Sequence, residues 1–355
     1  MNHQSQYSVV GMMSGTSLDG LDIASVLFRR TNGKWSYETG PCKYVPYPSE
    51  LRNQLMQAHQ LNGSELARLD AVLGRWYGRQ AAGFIAQNQL DPILVANHGQ
   101  TIFHRPEQGY TLQIGSGAHL ASECRRPVVC DFRSQDVALG GQGAPLVPVG
   151  DMLLFGDYGA CLNLGGFANV SMDSAGDRIA FDIVPCNFVL NALAMEAGMP
   201  YDRGGQLAIK GNYDDSLLNR LSNIPWFKAA GPKSLGREWV EINITPLLDS
   251  SDLSVEDKLA TFTELIAEKI SLALSGVRGK VLVSGGGVHN DYLISRITGR
   301  VGARIVIAPP PLDDFREALI FGFLGLLRWL EIPNTLPSVT GAAHAVSAGA
   351  IYLPR

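Results

Sequence analysis

The sequence predicts an α/β protein with two domains, and three observations support this prediction. Strand-like and helix-like patterns alternate along the 355 residues, which is typical of α/β folds. A unit of strand, glycine-rich loop and strand occurs twice, first from Tyr7 and again from near Gly159. The length fits two domains, at a prior of ~150 residues for each domain.

The predicted elements follow from hydrophobic periodicity and from helix caps. Strands are predicted over residues 7–13, 21–28, 92–96, 127–130, 160–164, 168–172, 178–184 and 280–284. Helices are predicted over residues 64–87, 116–124, 187–197, 254–274, 290–300 and 313–330. Ser254 is the predicted N-cap of the fourth helix, with Asp257 at the capping-box position.

Composition indicates an ordinary folded chain, with 46% hydrophobic and 17% charged residues. A net charge of −4 argues against a protein that binds nucleic acid by neutralising phosphates. The N-terminus lacks a secretory pattern, and the most apolar stretch, residues 318–327, is about half the ~20 residues that span a bilayer. We therefore expect a cytoplasmic protein with no membrane partner, whose five cysteines are reduced thiols.

The first glycine-rich loop has the chemistry of an anion site. Ser14 to Ser17 carry little side-chain bulk, so that successive backbone N–H groups can surround a phosphate. Asp19 and Asp22 follow, and carboxylates beside a phosphate suit a site that also binds Mg²⁺. The alternative interpretation is a hairpin turn with aspartates at turn positions.

Two further glycine clusters lie in the second half of the chain. Gly165 and Gly166 form a tight turn between strands, and Gly285, Gly286 and Gly287 follow a buried strand. Glycines at the carboxyl end of a strand let a flat ligand approach the backbone, although each cluster alone is equally typical of an ordinary turn. Neither a P-loop nor a Rossmann fingerprint is present in the sequence.

Four polar residues are candidates for reaction chemistry. His98 follows a strand and is either a proton carrier, a substrate donor or a turn-stabilising residue. Arg133 binds a polar substrate or belongs to a surface ion-pair cluster. Asp182 lies among apolar residues, so that its pKa should be raised as a general base requires, unless it caps the next helix. Glu317 interacts with a helix dipole or reaches a cleft.

Lys233 and Arg237 are candidates for a mobile phosphate or sugar contact.

Seven sequence strings carry a resemblance to a known family. The chain resembles the anhydro-N-acetylmuramic acid kinases, which belong to the actin-like ATPase superfamily, over nearly its whole length. The strings are GMMSGTSLDGLDIA (11–24), NHGQTIFHRP (97–106), DFRSQDVALGGQGAPLVP (131–148), LNLGGFANVS (162–171), PKSLGREW (232–239), SGGGVHN (284–290) and LPSVTGA (336–342).

The resemblance implies a two-domain actin-like (ribonuclease H-like) fold with a deep interdomain cleft that closes on its substrates. We expect one domain at residues 1–135 plus 340–355 and the other at 136–339. It also implies that water opens the 1,6-anhydro bridge of 1,6-anhydro-N-acetylmuramic acid and that O6 takes the γ-phosphoryl group of ATP. The products are N-acetylmuramic acid 6-phosphate and ADP, in the recycling of cell-wall fragments.

Roles are implied for residues that match the family motifs. Asp182 matches the general base, and Asp19 is the expected Mg²⁺ ligand. The sugar contacts are expected from His98, Gln100, Arg133 and Glu317. ATP contacts are expected from the first loop (Gly15, Thr16, Ser17, Leu18, Asp19, Gly20, Leu21 and Asp22), from Gly165 and Gly166, and from Gly285, Gly286 and Gly287.

The chain departs from the family at one motif. Many members read DTGPGN where this chain has Asp182-Ile183-Val184-Pro185-Cys186-Asn187, so that a threonine and two glycines are replaced. Two alternatives to the anhydro-sugar kinase stay open: a kinase of the same fold for another sugar or polyol, and a nucleotide-gated binding module. A homodimer is left open as well.

Overall fold

The computed structural model describes residues 4–15, 18–229 and 233–354. Contacts divide the chain into two units. Unit 1 comprises Met1–Phe155 and Phe315–Arg355, and unit 2 comprises Gly156–Asp314.

Thirteen strands are present in the described residues. They are β1 (Gln4–Met13), β2 (Gly20–Thr31), β3 (Lys34–Pro46), β4 (Leu94–Asn97), β5 (Gln100–Arg105), β6 (Tyr110–Ile114), β7 (Val128–Cys130), β8 (Ala160–Leu164), β9 (Phe167–Ser174), β10 (Asp177–Pro185), β11 (Val281–Ser284), β12 (Ile305–Ile307) and β13 (Ala350–Tyr352).

Fourteen α-helices are present in the same part of the chain. They are α1 (Ser49–Gln57), α2 (Gly63–Gln87), α3 (Gly117–Cys124), α4 (Ser134–Ala138), α5 (Val147–Leu154), α6 (Asn187–Glu196), α7 (Asp215–Ser222), α8 (Pro225–Lys228), α9 (Arg237–Asn243), α10 (Thr245–Asp249), α11 (Val255–Ala273), α12 (Asp291–Val301), α13 (Leu312–Trp329) and α14 (Pro337–Thr340). The side chain of Ser254 accepts a hydrogen bond from Asp257 N, which confirms the predicted cap of α11. None of the helices described is long and apolar enough to cross a bilayer.

The main sheet of unit 1 has the strand order β13-β7-β4-β1-β2-β3. The pairs β1–β2 and β2–β3 are antiparallel, whereas β4 runs parallel to both β1 and β7. The sheet of unit 2 has the order β10-β9-β8-β11-β12, again with two antiparallel pairs followed by two parallel pairs. Five strands of unit 1, in the order β3-β2-β1-β4-β7, therefore share the order and directions of the five strands of unit 2, which is the duplicated arrangement of the actin-like fold.

Both predicted hairpins are confirmed by these pairings. Met13 pairs with Asp22 at the end of the first hairpin, and Leu164 pairs with Ala168 at the end of the second. Each glycine-rich loop thus connects the first two strands of its sheet. Because β4 and β11 run parallel to these first strands, their carboxyl ends lie beside the loops.

Each unit has its own apolar core. In unit 1, β1, β2 and β4 pack on α2 and α3, with Val10, Ile23, Leu73 and Val95 fully buried. In unit 2, the strands pack chiefly on α6, α11 and α12. The other face of the unit 1 sheet meets α13, where a side chain at Gly11 would lie 1.9 Å from the Ala318 carbonyl oxygen. This contact requires glycine.

The unit boundaries lie elsewhere than the sequence prediction put them. The predicted boundaries were 135/136 and 339/340, whereas residues 136–155 and 315–339 belong to unit 1. The physical reason is packing: most of α13 covers the unit 1 sheet, and buried Asp136 accepts hydrogen bonds from Thr340 Oγ1 and Gly143 N. The glycine-rich stretch near residue 140 is therefore a loop inside unit 1.

Candidate functional site

A buried hydrogen-bond network supports the first glycine loop of unit 1 on the side that faces the protein interior. Ser14 Oγ lies 2.7 Å from Tyr77 OH, which lies 2.7 Å from Tyr47 OH. Tyr47 donates to Gln100 Oε1, and Gln100 Nε2 donates to the Gly15 carbonyl oxygen at 3.1 Å. Burial raises the pKa of Tyr47 to about 12, so that its hydroxyl keeps its proton. The network fixes the start of the loop.

Gln100 was predicted to contact the sugar, but the structure places it under this loop. Its side chain is almost fully buried, and both of its polar atoms have protein partners. Its position therefore favours support of the loop over contact with a ligand.

The tip of the first loop is only partly described, since the predicted phosphate contacts Thr16 and Ser17 lie outside the described residues. Leu18 adopts a left-handed conformation (φ 53°) and its N–H reaches the Gly15 carbonyl oxygen at 3.4 Å. Asp19 is exposed at the end of the turn, where its Oδ1 accepts from Gly20 N at 2.9 Å. An exposed carboxylate beside a phosphate loop is a donor that Mg²⁺ prefers.

His98 and Arg133 form a hydrogen-bonded pair at the carboxyl ends of β4 and β7. Arg133 Nε and Nη2 lie 3.0 and 2.8 Å from His98 Nε2. Because a guanidinium only donates, Nε2 accepts, and the proton lies on Nδ1, which donates to the Gly99 carbonyl oxygen at 2.7 Å. Burial and the Arg133 charge lower the pKa of His98 to about 3. In this arrangement His98 is neutral and orients Arg133, which favours a positioning role over that of a proton carrier.

Glu317 lies near the N-terminus of α13. The preceding residue, Arg316, forms a buried ion pair with Asp151. Arg316 Nη2 lies 3.4 Å from Asp151 Oδ1, and both side chains are almost fully buried. Burial raises the pKa of Glu317, while the charges of Arg316 and Arg133 oppose this shift. Burial also disfavours the charged form of Arg133, and it lowers the pKa of that residue to about 10. The arrangement places a carboxylate and a guanidinium in one poorly solvated region of unit 1.

In unit 2, the turn at Gly165 and Gly166 is anchored to the first turn of α6. The Gly166 carbonyl oxygen accepts from Cys186 N and Phe188 N, and the Gly165 carbonyl oxygen accepts from Asn187 N. In a trans peptide the N–H points away from the C=O of the same unit. The N–H groups of Gly166 and the next residue therefore face away from α6, as a phosphate site requires.

The third glycine cluster packs on the end of β8, just before the second cluster. Gly285 has φ 89°, and a Cβ at this position would lie 2.4 Å from Asn163 Oδ1. A Cβ at Gly287 would lie 2.7 Å from Leu164 Cβ, whereas a Cβ at Gly286 would make only an ordinary contact, 3.9 Å from Asn187 Nδ2. Only glycine fits at the first position, because both the dihedral angle and the contact exclude a side chain.

A cavity of about 580 Å³ opens beside this cluster within unit 2. Its lining includes Gly286, Asn187, Tyr201, Arg203 and Asn290. The volume lies in the range of ligand pockets. The backbone at Gly286, an aromatic ring and a guanidinium are groups that suit a nucleoside.

Asp182 lies on β10 opposite Asn169 of β9, the strand that begins directly after the glycine turn. A register shift between Asp182 and Val184 marks a bulge, a feature that re-aims side chains. Asp182 Oδ2 accepts from Leu235 N at 2.8 Å. Burial raises the pKa of Asp182 to about 6, and the Leu235 hydrogen bond opposes the shift. The raised pKa that the sequence predicted is confirmed.

Lys233 and Arg237, predicted as mobile ligand contacts, have local protein partners. Lys233 Nζ donates to the carbonyl oxygens of Trp226 and Ala229, both at 3.0 Å, and lies 4.1 Å from the centroid of the Trp226 ring. Its own carbonyl oxygen accepts from Asp182 N at 2.9 Å. Arg237 pairs with Glu241 on the surface, one helical turn away.

Sequence reasoning missed several residues of this site. Tyr47 and Tyr77 support the first loop, and Leu235 binds the carboxylate of Asp182. Tyr77 lies within the helix predicted over residues 64–87, and no local pattern indicates that its hydroxyl reaches Ser14. In the 182–187 segment, where the chain differs from the family motif, Ile183, Val184 and Cys186 are buried in the core.

Comparisons with known proteins agree on one family. Residues 7–354 match the family model of anhydro-N-acetylmuramic acid kinase. Proteins of that name from Pseudomonas paraeruginosa and Gloeobacter violaceus are 38% and 36% identical to the chain, with 97% of this chain and 98% of each relative covered. Alignment with the solved structure of a ROK hexokinase from Thermus thermophilus, covering 91% of this chain and 100% of that chain, has 12% identity and a TM-score of 0.39, which adds nothing to the assignment. The chain belongs to the anhydro-N-acetylmuramic acid kinase family.

Proposed function

We propose that this protein is an ATP-dependent kinase that opens the 1,6-anhydro ring of 1,6-anhydro-N-acetylmuramic acid with water and phosphorylates O6. The products are N-acetylmuramic acid 6-phosphate and ADP, and the reaction recycles cell-wall fragments. Family membership across residues 7–354 supports the reaction class. The observation that carries the mechanism is the environment of Asp182.

Asp182 has the properties of a general base near neutral pH. Its pKa of about 6 leaves it ionised at pH 7, yet basic enough to take a proton from water. The Leu235 N–H holds Oδ2, so that the orientation of the carboxylate is fixed. The pairing of Asp182 with Asn169 of β9, the strand after the second glycine turn, supports this assignment.

The proposed reaction balances without a further reactant. The oxygen of water bonds to the anomeric carbon as the bond from that carbon to O6 breaks. Asp182 takes the proton from water and later releases it to solvent. O6 takes the γ-phosphoryl group, and ADP leaves.

The nucleotide is assigned to the glycine turns. The Gly15–Asp22 segment and the turn at Gly165 and Gly166 would bind the phosphates through backbone N–H groups. The cavity beside Gly286 would receive the nucleoside. Mg²⁺ would neutralise charge on the phosphate oxygens, and exposed Asp19 would hold it.

The sugar is assigned to the paired groups of unit 1. Arg133, oriented by neutral His98, has donors for sugar oxygens, and Glu317 accepts from a hydroxyl. All three nitrogens of this guanidinium have protein partners, Nε and Nη2 at His98 and Nη1 at the Gly143 carbonyl oxygen, so the group loses little conformational entropy on binding through its remaining N–H bonds. A cytoplasmic location and a homodimer stay predictions.

Release of ADP with a panel of sugars tests this function. We expect ADP to form with the 1,6-anhydro amino sugar, and far more slowly with glucose, N-acetylglucosamine, glycerol or no acceptor. Turnover with an ordinary hexose or polyol would support a kinase for another sugar. Slow turnover that no sugar accelerates would support a nucleotide-gated binding module.

A further inference from the structure

Two of the sequence segments that carry the family resemblance are used by none of the steps above. They are the glycine-rich stretch 138–145 and the string 336–342, near the end of the chain. Both segments belong to unit 1, and they meet at Asp136, whose side chain is fully buried. Asp136 Oδ1 accepts from Thr340 Oγ1 at 2.8 Å, although the two residues are 204 positions apart in the chain.

The glycine-rich stretch closes around this carboxylate. Asp136 Oδ2 accepts from Gly143 N at 2.8 Å, and the Asp136 carbonyl oxygen accepts from Gly141 N at 2.9 Å. A Cβ at Gly141 would clash with Asp136 Oδ2 and would lie 2.8 Å from Ala342 Cβ. Gly143 has φ 65°, a conformation that favours glycine. These two glycines therefore allow the backbone to approach a buried carboxylate.

The same stretch holds the guanidinium of Arg133. Arg133 Nη1 donates to the Gly143 carbonyl oxygen at 2.6 Å, while Nε and Nη2 bind His98 Nε2. Gly143 thus donates its N–H to Asp136 and accepts from Arg133 with its carbonyl oxygen. A continuous chain of hydrogen bonds therefore runs from the hydroxyl of Thr340 to the guanidinium.

Asp136 also supplies a counter-charge to this region. Burial lowers the pKa of Arg133 to about 10, and the charges of Glu317 and Asp136 oppose that shift. A buried carboxylate destabilises a fold unless hydrogen bonds and an opposite charge compensate for its desolvation. Thr340 Oγ1 and Gly143 N supply the hydrogen bonds to Asp136. Arg133 supplies the opposite charge, so the carboxylate and the guanidinium stabilise each other.

We propose that Asp136 and Thr340 are positioning residues for Arg133, an inference that rests on the proposed function, in which Arg133 binds the sugar. The Thr340 hydroxyl fixes Oδ1 of Asp136, which leaves Oδ2 oriented toward Gly143 N. Gly143 in turn holds one edge of the guanidinium, so that the remaining N–H bonds of Arg133 are directed to the sugar. The string 336–342 thus acts on sugar binding through Arg133.

Three variants separate this role from general support of the fold. Thr340→Val removes the hydroxyl and keeps the side-chain shape, whereas Thr340→Ser keeps the hydroxyl. Thr335→Val is the matched control, because Thr335 is a buried threonine of the same region whose Oγ1 accepts from Val346 N. Thr335→Val therefore also removes a buried hydroxyl, but one that does not bind Asp136.

The first measurement needs neither substrate nor turnover. The ¹⁵N NMR signal of His98 Nε2 reports the hydrogen bonds that this nitrogen accepts from Arg133, and a His98→Gln variant assigns the signal. Arg133→Met gives its position when those bonds are lost. We expect Thr340→Val to move the signal toward that position. Thr340→Ser and Thr335→Val should leave it where it is in the unaltered protein.

The second measurement is the split between kcat and KM in ADP release. Thr340→Val should raise the KM for the 1,6-anhydro sugar about tenfold, with kcat and the KM for ATP little changed, because Arg133 is assigned to sugar binding. Thr340→Ser and Thr335→Val should behave like the unaltered protein. In the Arg133→Met background, Thr340→Val should cause no further loss of kcat/KM, since a residue that acts through Arg133 has no effect without it.

The two proposals fail in different ways. An unmoved His98 signal in Thr340→Val, equal kinetic effects of Thr340→Val and Thr335→Val, or a full further loss in the Arg133→Met background would overturn the positioning role. Missing ADP release by the unaltered protein would overturn the kinase function instead, and the His98 signal would still report whether Thr340 holds Arg133.

Discussion

Replacing Asp182 by asparagine should slow turnover strongly and stabilise the fold, because the same buried carboxylate provides the base and destabilises the native state. The asparagine side chain would keep an oxygen that accepts from Leu235 N, but it could not take a proton. A positioned general base contributes about 10²–10⁴-fold in rate, and we expect turnover to fall by that factor. ATP binding should persist.

The stability gain can be worked out from the shift in pKa. Burial raises the pKa of Asp182 from 3.8 to about 6 in the folded state. At ~1.4 kcal/mol for each pKa unit, ionising the folded protein costs about 3 kcal/mol above pH 6. The asparagine amide needs a partner of its own, so a net gain of about 1–3 kcal/mol is expected at pH 8.

The pH dependence gives the sign of this effect. A group whose pKa is raised on folding stabilises the native state fully below its unfolded pKa and loses that contribution as pH rises through the folded pKa. The stability difference between Asp182→Asn and the unaltered protein should therefore grow between pH 4 and about 6 and then level off.

Chemical unfolding at a series of pH values measures this difference, with Asp177→Asn as the control on the same strand. Asp177 is exposed, so its variant should differ little from the unaltered protein at every pH. A stability difference for Asp182→Asn that does not change with pH would refute the assignment of a desolvated carboxylate. Near-normal turnover of the variant would refute its role as the base.

Three further predictions concern the groups that support this site. The kcat/KM for the anhydro sugar should rise with pH through an apparent pKa near 6, because Asp182 must be ionised; a profile flat from pH 5 to 8 would contradict this. Tyr77→Phe should raise the KM for ATP several-fold with little change in kcat, because it removes the hydroxyl between Ser14 and Tyr47; an unchanged KM would argue against support of the loop. Lys233→Met should move the acidic limb to higher pH and Lys233→Arg should move it less, because the ammonium anchors the segment whose Leu235 N–H lowers the pKa of Asp182; equal profiles for both variants would exclude a positioning role.

Much of the fold could be predicted because its signals are local. The hairpins, the buried strand before Gly285 and the amphipathic α2 each depend on periodicity within a short window. The pKa shift of Asp182 was also predictable, since its neighbours along β10 are apolar. The unit boundaries were not, because the membership of α13 depends on the close approach of Ala318 to Gly11, from the far end of the chain.

The site was less predictable because its polar contacts join distant residues. Gln100 and Lys233 have side chains typical of ligand contacts, yet they serve Gly15 and the segment beside Asp182. The neutral state of His98 follows from its burial and from Arg133, 35 residues away in the chain.

Turnover in water enriched in ¹⁸O tests the central claim most directly, because it reports which bond the carboxylate-activated water makes. With ATP and the 1,6-anhydro amino sugar, the account predicts one ¹⁸O atom at the anomeric carbon of the phosphorylated product and none in its phosphate at O6. A product formed at a normal rate without label at the anomeric carbon would contradict it.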